Sequence, residues 1–212
     1  MAKADRDQRA ARILDAVIEH MLETGGKLQS AQVAVRAGIS TRTLNRYYPD
    51  RDQLLYEAAV RYLDAQYSAI IRRYEGLNLS GMSGRQRLLT FMRTQIEVYR
   101  RDLTAAAAYV DANISCVYLG SQRNYRRPGF DGRIMALLVR DLEAGIQDGS
   151  VRAALDPART GLLIAANFNG LMQRLAFQRA SAPSEADRLN LELLEEYLMM
   201  LELYLQPGEE SL

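Results

Sequence analysis

The sequence predicts an all-α protein, with a helix-turn-helix unit at its N-terminus and a larger helical body after it. Three observations predict this. Residues 30–54 read as two short helices joined by a glycine-containing turn. From residue 51 onward, apolar residues recur at three- and four-residue steps, the period of an amphipathic helix. The 212 residues hold no alternating apolar–polar stretch of useful length, as a half-buried strand would need, and no internal repeat.

In this N-terminal pair, Ala34 is small where two helices would cross. Gly38 follows four residues later, where a positive φ allows a sharp turn at little cost. Ser40 then caps the next helix, its hydroxyl oxygen accepting from a free backbone N–H. Val33, Ala37, Ile39, Leu44 and Tyr47 supply the apolar contacts between the two helices. This is the spacing of a helix-turn-helix, whose second helix lies in the major groove of duplex DNA. A plain αα-corner on a protein surface shares the spacing, and the outer face separates the two readings. Between Ser40 and Arg51 lie Thr41, Arg42, Thr43, Asn45, Arg46, Tyr47 and Tyr48, with no Glu or Lys. Arg can bond two atoms of guanine and Asn two of adenine, while Ser, Thr and Tyr hydroxyls suit phosphate oxygens.

Further along, Arg51 to Tyr74 is expected as one long helix, with Leu54, Leu55, Ala58, Tyr62, Leu63 and Tyr67 on its apolar side. Residues 75–84 read as a loop. The next helix spans about 85–101, with Leu88, Leu89, Met92, Ile96 and Tyr99 inward, and another about 103–119, opening on the small residues 105–108. Residues 120–132 carry turn chemistry and three arginines. A helix then runs to about Gln147, stopped by Asp148-Gly149. After a short connector, Asp156-Pro157 opens another helix, since Asp is a good N-cap and Pro is tolerated in a first turn. It is expected to end near Arg179, before a last amphipathic helix over about 185–205.

Residues Ala37-Gly38-Ile39-Ser40-Thr41-Arg42-Thr43-Leu44-Asn45-Arg46-Tyr47-Tyr48-Pro49-Asp50-Arg51-Asp52 resemble the recognition segment of TetR-family transcriptional regulators. In that family the segment reads Ala-Gly-Val-Ser-x-Gly-Thr-Leu-Tyr-x-Tyr-Phe-Pro-x-Lys-Glu. The run Arg12–Val17 and Gly25 are similar to the family's first helix, so the specific match covers about the first quarter of the chain. A weaker match covers Gly145 to Ala153 and Asp156-Pro157, similar to the family's turn before its two dimer-forming helices. The chain departs from the pattern at four places. Arg42 stands for a small residue, Asn45 for a Tyr, Gln29-Ser30 for a Thr pair, and no aromatic flanks Gly25. These departures suggest a different operator. The resemblance implies a homodimer with a ligand cavity inside each body. It also suggests a division into a DNA-binding domain, residues 1–51, and a ligand-binding and dimerisation domain, residues 52–212.

Composition supports a folded helical protein and narrows its class. Hydrophobic residues make up 48% and charged residues 25%, which argues against long disorder. No apolar run approaches the roughly 18–20 residues needed to span a bilayer, so no membrane association is expected. The charged N-terminal stretch lacks the apolar core of a secretory signal, and Cys116 has no second cysteine to pair with, so a cytoplasmic location is the default expectation. Net charge is only +1, but residues 1–51 hold nine basic against six acidic residues, whereas residues 185–212 hold one against eight. A basic head and an acidic tail suit a protein that puts one end on phosphate.

Binding roles follow from side-chain chemistry. Arg42, Thr43 and Asn45 are expected to read bases; Thr41, Arg46, Tyr47, Arg51, Gln29 and Ser30 are expected to hold phosphates. The last two helices carry broad apolar faces: Leu162, Leu163, Ala166, Gly170 and Leu171 on one, and Leu189, Leu191, Leu193, Leu194, Tyr197, Leu198, Leu201 and Tyr204 on the other. Two such pairs would make a four-helix bundle about a two-fold axis, and so a homodimer through the last two helices. Polar or aromatic groups within apolar runs mark a candidate small-molecule cavity: Tyr99, Tyr109, Asn113, Cys116, Phe130, Met135, Asn167, Phe168 and Met172. A core-facing Asn needs a partner, which favours Asn113 and Asn167 as ligand contacts, although Asn167 could instead face the dimer partner; for each aromatic or Met the alternative is plain core packing. His20, the only histidine, is expected at the surface and has no metal-ligand company. The sequence has no Ser/His/Asp set, phosphate-cradling glycine loop or metal cluster, so neither enzyme activity nor a cofactor is expected. The expected function is a ligand-responsive DNA-binding regulator that acts on a pseudo-palindromic operator. The alternative is a helical protein-binding adaptor that keeps the head but lacks DNA affinity.

Overall fold

The computed structural model describes residues 2–24, 28–101, 130–181 and 183–207, with side chains at 4–24, 28–98, 132–172, 174 and 192–207. All regular secondary structure among them is helical. The elements are α1 (Ala2–Thr24), α2 (Ser30–Arg36), α3 (Thr41–Tyr47), α4 (Arg51–Glu75), α5 (Gly84–Arg101), α6 (Phe130–Gln147), α7 (Pro157–Ser181) and α8 (Pro183–Leu205). The described residues form two compact units, one up to Gln66 and one from Tyr67. The helix expected at 103–119 lies outside the described residues. The turn expected to extend through Gly132 is already helix from Phe130, because a first helical turn accommodates a glycine readily.

The first unit is built by local signals. Gly38 has φ +67°, and the Ile39 N–H reaches the Ala34 carbonyl at 3.0 Å, closing α2. Ser40 Oγ accepts from the Thr43 N–H at 3.1 Å and starts α3. The core joins Ile13, Ala16 and Val17 of α1 to Val33, Ala34 and Leu44, and to Leu54 and Ala58 of α4. Ala37, Ile39 and Tyr47 pack against it half-buried. Two arginines tie the helices at the surface. Arg61 of α4 grips Asp15 with contacts of 2.6 and 2.9 Å, and Arg36 of α2 grips Glu23 and approaches Glu19 on α1.

The second unit depends on contacts between residues far apart in sequence. A Cβ on Gly84 would collide with the backbone of Gly145, so α5 and α6 meet with no side chain between them. The turn after α6 then caps α5: Asp148 Oδ2 accepts from the Gly84 N–H at 2.7 Å, and Ser150 Oγ from the Arg85 N–H at 3.2 Å. A hydrogen bond from the Ser150 hydroxyl, and next the one from the Gly84 N–H, hold the Asp148 carboxyl below its ordinary range. Deeper in, the Tyr74 hydroxyl donates to buried Asp141 at 2.6 Å, with Arg140 and Arg87 at 3.0 and 3.6 Å from the same carboxylate. Burial, and then that carboxylate, push the Tyr74 phenol above its ordinary range. At α7, Asp156 Oδ1 accepts from the Arg159 N–H at 2.7 Å, the cap its sequence announces.

Candidate nucleic-acid interface

α3 projects a polar face from the first unit. Leu44 points into the core, 1% exposed, and orients the helix about it. Thr41, Arg42, Asn45 and Arg46 are exposed; Thr43 and Tyr47 are half-buried. Spacings of one, three and four residues place the exposed four on one continuous strip. The Thr43 hydroxyl lies 3.0 Å from Ser40 Oγ, so part of its bonding capacity serves the cap. Among the described residues, Arg42 and Arg46 are held by no carboxylate, whereas Arg36 and Arg61 are both in ion pairs. A guanidinium in water keeps five donors for a ligand, and a paired one has already committed some of them.

The other expected phosphate contacts lie nearby in sequence but differ in their surroundings. Gln29 is exposed and is the N-cap of α2, yet its side chain makes no capping bond; Ser30 is half-buried. Arg51 is exposed, but one of its Nη atoms donates to the Leu28 carbonyl at 3.1 Å. Tyr48 is buried and donates to Glu57 at 3.0 Å, and burial raises its phenol well above the ordinary range. It belongs to the scaffold.

His20 corrects one expectation. It is buried, 1% exposed, and its Nε2 accepts from the Gln29 N–H at 3.3 Å. The signal was present in the sequence: Ile13, Ala16, Val17 and His20 recur at three- and four-residue steps, so the histidine extends the buried stripe of α1. Its polarity concealed that register.

The cavity candidates divide. Tyr109, Asn113 and Cys116 lie outside the described residues, as do the side chains of Tyr99 and Phe130. Phe168 and Met172 are buried, 2% and 3% exposed, and Met135 is half-buried. Phe168 lies 6.4 Å from the ring of Tyr197, whose hydroxyl donates to the Ile164 carbonyl at 3.0 Å and is pushed up to about 12 by burial. Asn167 is a second correction: its side chain is exposed and cannot line the interior of its own unit. Ile164, Phe168 and Met172 form the inward stripe at four-residue steps, and Asn167 falls on the outward side with Leu163, Ala166 and Gly170.

That outward side is apolar. Leu162 and Leu163 on α7, with Met199, Met200, Leu203 and Tyr204 on α8, remain between 39% and 68% exposed. The residues expected to form the outer face of α8 include several that turn inward: Leu194, Leu198 and Leu201 are buried together with Leu205. Leu189 and Leu191 have no described side chains. A groove of about 540 Å³ runs beside the apolar patch, lined by Leu155, Arg159, Leu162, Leu163 and Tyr204 among others. No helix among the described residues is long and apolar enough to cross a membrane.

No family model and no curated protein matches the chain. Solved structures do, over nearly its whole length. A TetR family transcription regulator from Marinobacter aquaeolei superposes with a TM-score of 0.54 at 17% identity, over 98% of this chain and 100% of that one. The regulator FadR from Bacillus subtilis, in complex with stearoyl-CoA, gives 0.56 at 14% identity over 89% and 97%. RolR in complex with resorcinol gives 0.56 at 18% identity over 93% and 89%. At these identities the likeness is one of fold: the chain has the all-helical fold of TetR-family transcription regulators.

Proposed function

We propose that this chain is a ligand-responsive transcription regulator of the cytoplasm that binds a pseudo-palindromic duplex as a homodimer and is released by a small molecule. The observation that carries the reading is the strip Thr41, Arg42, Asn45 and Arg46, solvent-facing on a short helix capped by Ser40 and anchored by Leu44. Arg42, Thr43 and Asn45 read base edges. Thr41, Arg46, Tyr47, Arg51, Gln29 and Ser30 contact the backbone. All nine lie within residues 1–51, which form the DNA-binding part, and residues 52–212 bind the ligand and the second copy.

A single helix-turn-helix makes too little contact for specific binding, and two heads one helical turn apart on DNA, about 34–36 Å, double it. The apolar patch of Leu162, Leu163, Met199, Met200, Leu203 and Tyr204 supports a homodimer through the last two helices. The inducer is bound by the body, with Phe168 and Met172, both buried, as candidate contacts alongside Tyr99, Tyr109, Asn113 and Cys116; Asn167, exposed, belongs instead to the dimer face. The ligand-bearing neighbours take molecules as unlike as stearoyl-CoA and resorcinol, so the fold leaves the ligand class open. Whatever the ligand, it releases DNA only by binding the released state more tightly, by several kcal/mol for a mostly bound population.

In-vitro selection of duplexes from a random pool tests the reading. The expected result is a palindromic consensus bound with a steep salt dependence. Failure to enrich any duplex, with binding absent even at low salt, would leave the protein-binding adaptor as the surviving reading.

A further inference from the structure

The Leu28–Gln29 peptide group is held at both ends by side chains from other helices. Its carbonyl accepts from Arg51 of α4 at 3.1 Å, and its N–H donates to His20 Nε2 of α1 at 3.3 Å. This peptide immediately precedes α2, and Gln29 offers no side-chain cap of its own. The start of α2 is therefore fixed from outside, by α1 and α4. α2 in turn carries α3 through buried Val33, Ala34 and Leu44.

We propose that His20 is a positioning residue for the DNA-reading pair of helices, and that its neutral imidazole is required for full DNA affinity. This rests on the proposed function. Accepting a backbone N–H requires an unprotonated Nε2, so the proton of the neutral ring sits on Nδ1. A proton taken from solvent turns Nε2 into a donor facing a donor. The bond to Gln29 is lost, and a part-buried N–H is left facing a donor. The surrounding charges oppose one another. Arg51, on the same peptide, repels an imidazolium. Glu23 attracts it, but Glu23 and Glu19 on α1 are already engaged by Arg36 of α2. Acidification thus loosens the register of α2, and with it the aim of α3.

The test uses the full-length protein and a duplex taken from the random pool. His20 is the only histidine, so an imidazole signal in the NMR spectrum belongs to it. Affinity is measured between about pH 8 and about pH 5.5, alongside nitrogen-15 NMR of the His20 ring and the Gln29 amide. Wild-type affinity is expected to fall roughly tenfold or more on acidification, with the Gln29 amide shift tracking the ring. His20→Gln places a non-titrating oxygen near the Nε2 position. It should match wild type at high pH and lose the extra pH dependence. His20→Leu should bind weakly across the range while its thermal melt still shows a folded chain. Parallel pH profiles for wild type and His20→Gln would overturn the proposal, as would a Gln29 amide that ignores the ring titration. If no duplex binds at any pH, the DNA reading fails separately, and the NMR titration alone decides whether the clamp exists.

Discussion

The two outward surfaces of this molecule differ in what water does to them. On α3 the exposed groups are Thr41, Arg42, Asn45 and Arg46, each well solvated in isolation. On α7 and α8 they include Leu162, Leu163, Met199, Met200 and Leu203, which water solvates poorly. The first surface suits a partner that comes and goes, because its solvated donors can be exchanged for phosphate and base contacts at modest net change. The second suits a lasting cover, because each Å² removed from water is worth about 25 cal/mol. The same chain therefore presents a reversible face on its first unit and a face suited to lasting association on its second.

The largest expected effect breaks the second face. Leu203 is 63% exposed in the single chain, so Leu203→Glu should leave the fold intact. In a homodimer it would bury an unpaired charge, costing about 3 kcal/mol or more, over a hundredfold in the dimer constant. Sedimentation should show monomers, and a chain that remains dimeric would place the interface elsewhere. Gly84→Ala comes next, since its Cβ meets the Gly145 backbone; about 3 kcal/mol or more of stability should be lost in a thermal melt. An unchanged melting temperature would show that α5 and α6 can move apart freely.

The first face gives smaller changes. Arg42→Ala should weaken binding by roughly 1–3 kcal/mol and relax preference at one base pair. Uniform weakening on every sequence would make Arg42 a phosphate contact instead. Gly38→Ala meets no atom within 4 Å, so its cost of about 1 kcal/mol is only that of holding φ +67°. Ser40→Ala removes the N-cap of α3 and should cost about 1 kcal/mol, read as lower helicity or lower melting temperature. Gly84→Ala and Gly38→Ala are the sharpest pair. One chemical change is opposed by packing in the body and by backbone preference alone in the head.

Legibility in the sequence follows the same division. Gly38, Ser40 and Asp156 were readable because a positive-φ turn and an N-cap involve atoms within a few residues. The inward stripe of α5 was readable for the same reason: Leu88, Leu89, Met92 and Ile96 recur at helical steps and all are buried. Asn167 was not, because α7 is apolar around much of its circumference and its period leaves two faces open. Nor was the sharing of the α8 leucines, since Leu194, Leu198 and Leu201 turn inward while Met199, Met200 and Leu203 stay out.

What the sequence alone determined is the described helices after residue 30 and the α2–α3 turn with its polar outer strip, because those depend on hydrogen bonds and side-chain spacing within one or two turns. Tertiary structure decided which side of α7 and of α8 is inside. It placed His20 under the Leu28–Gln29 peptide, brought the backbones of Gly84 and Gly145 together, and set Tyr74 against Asp141 across 67 residues. Such meetings carry no local signature: a side chain's periodicity states that it faces something, and only the packing of distant segments determines what that is.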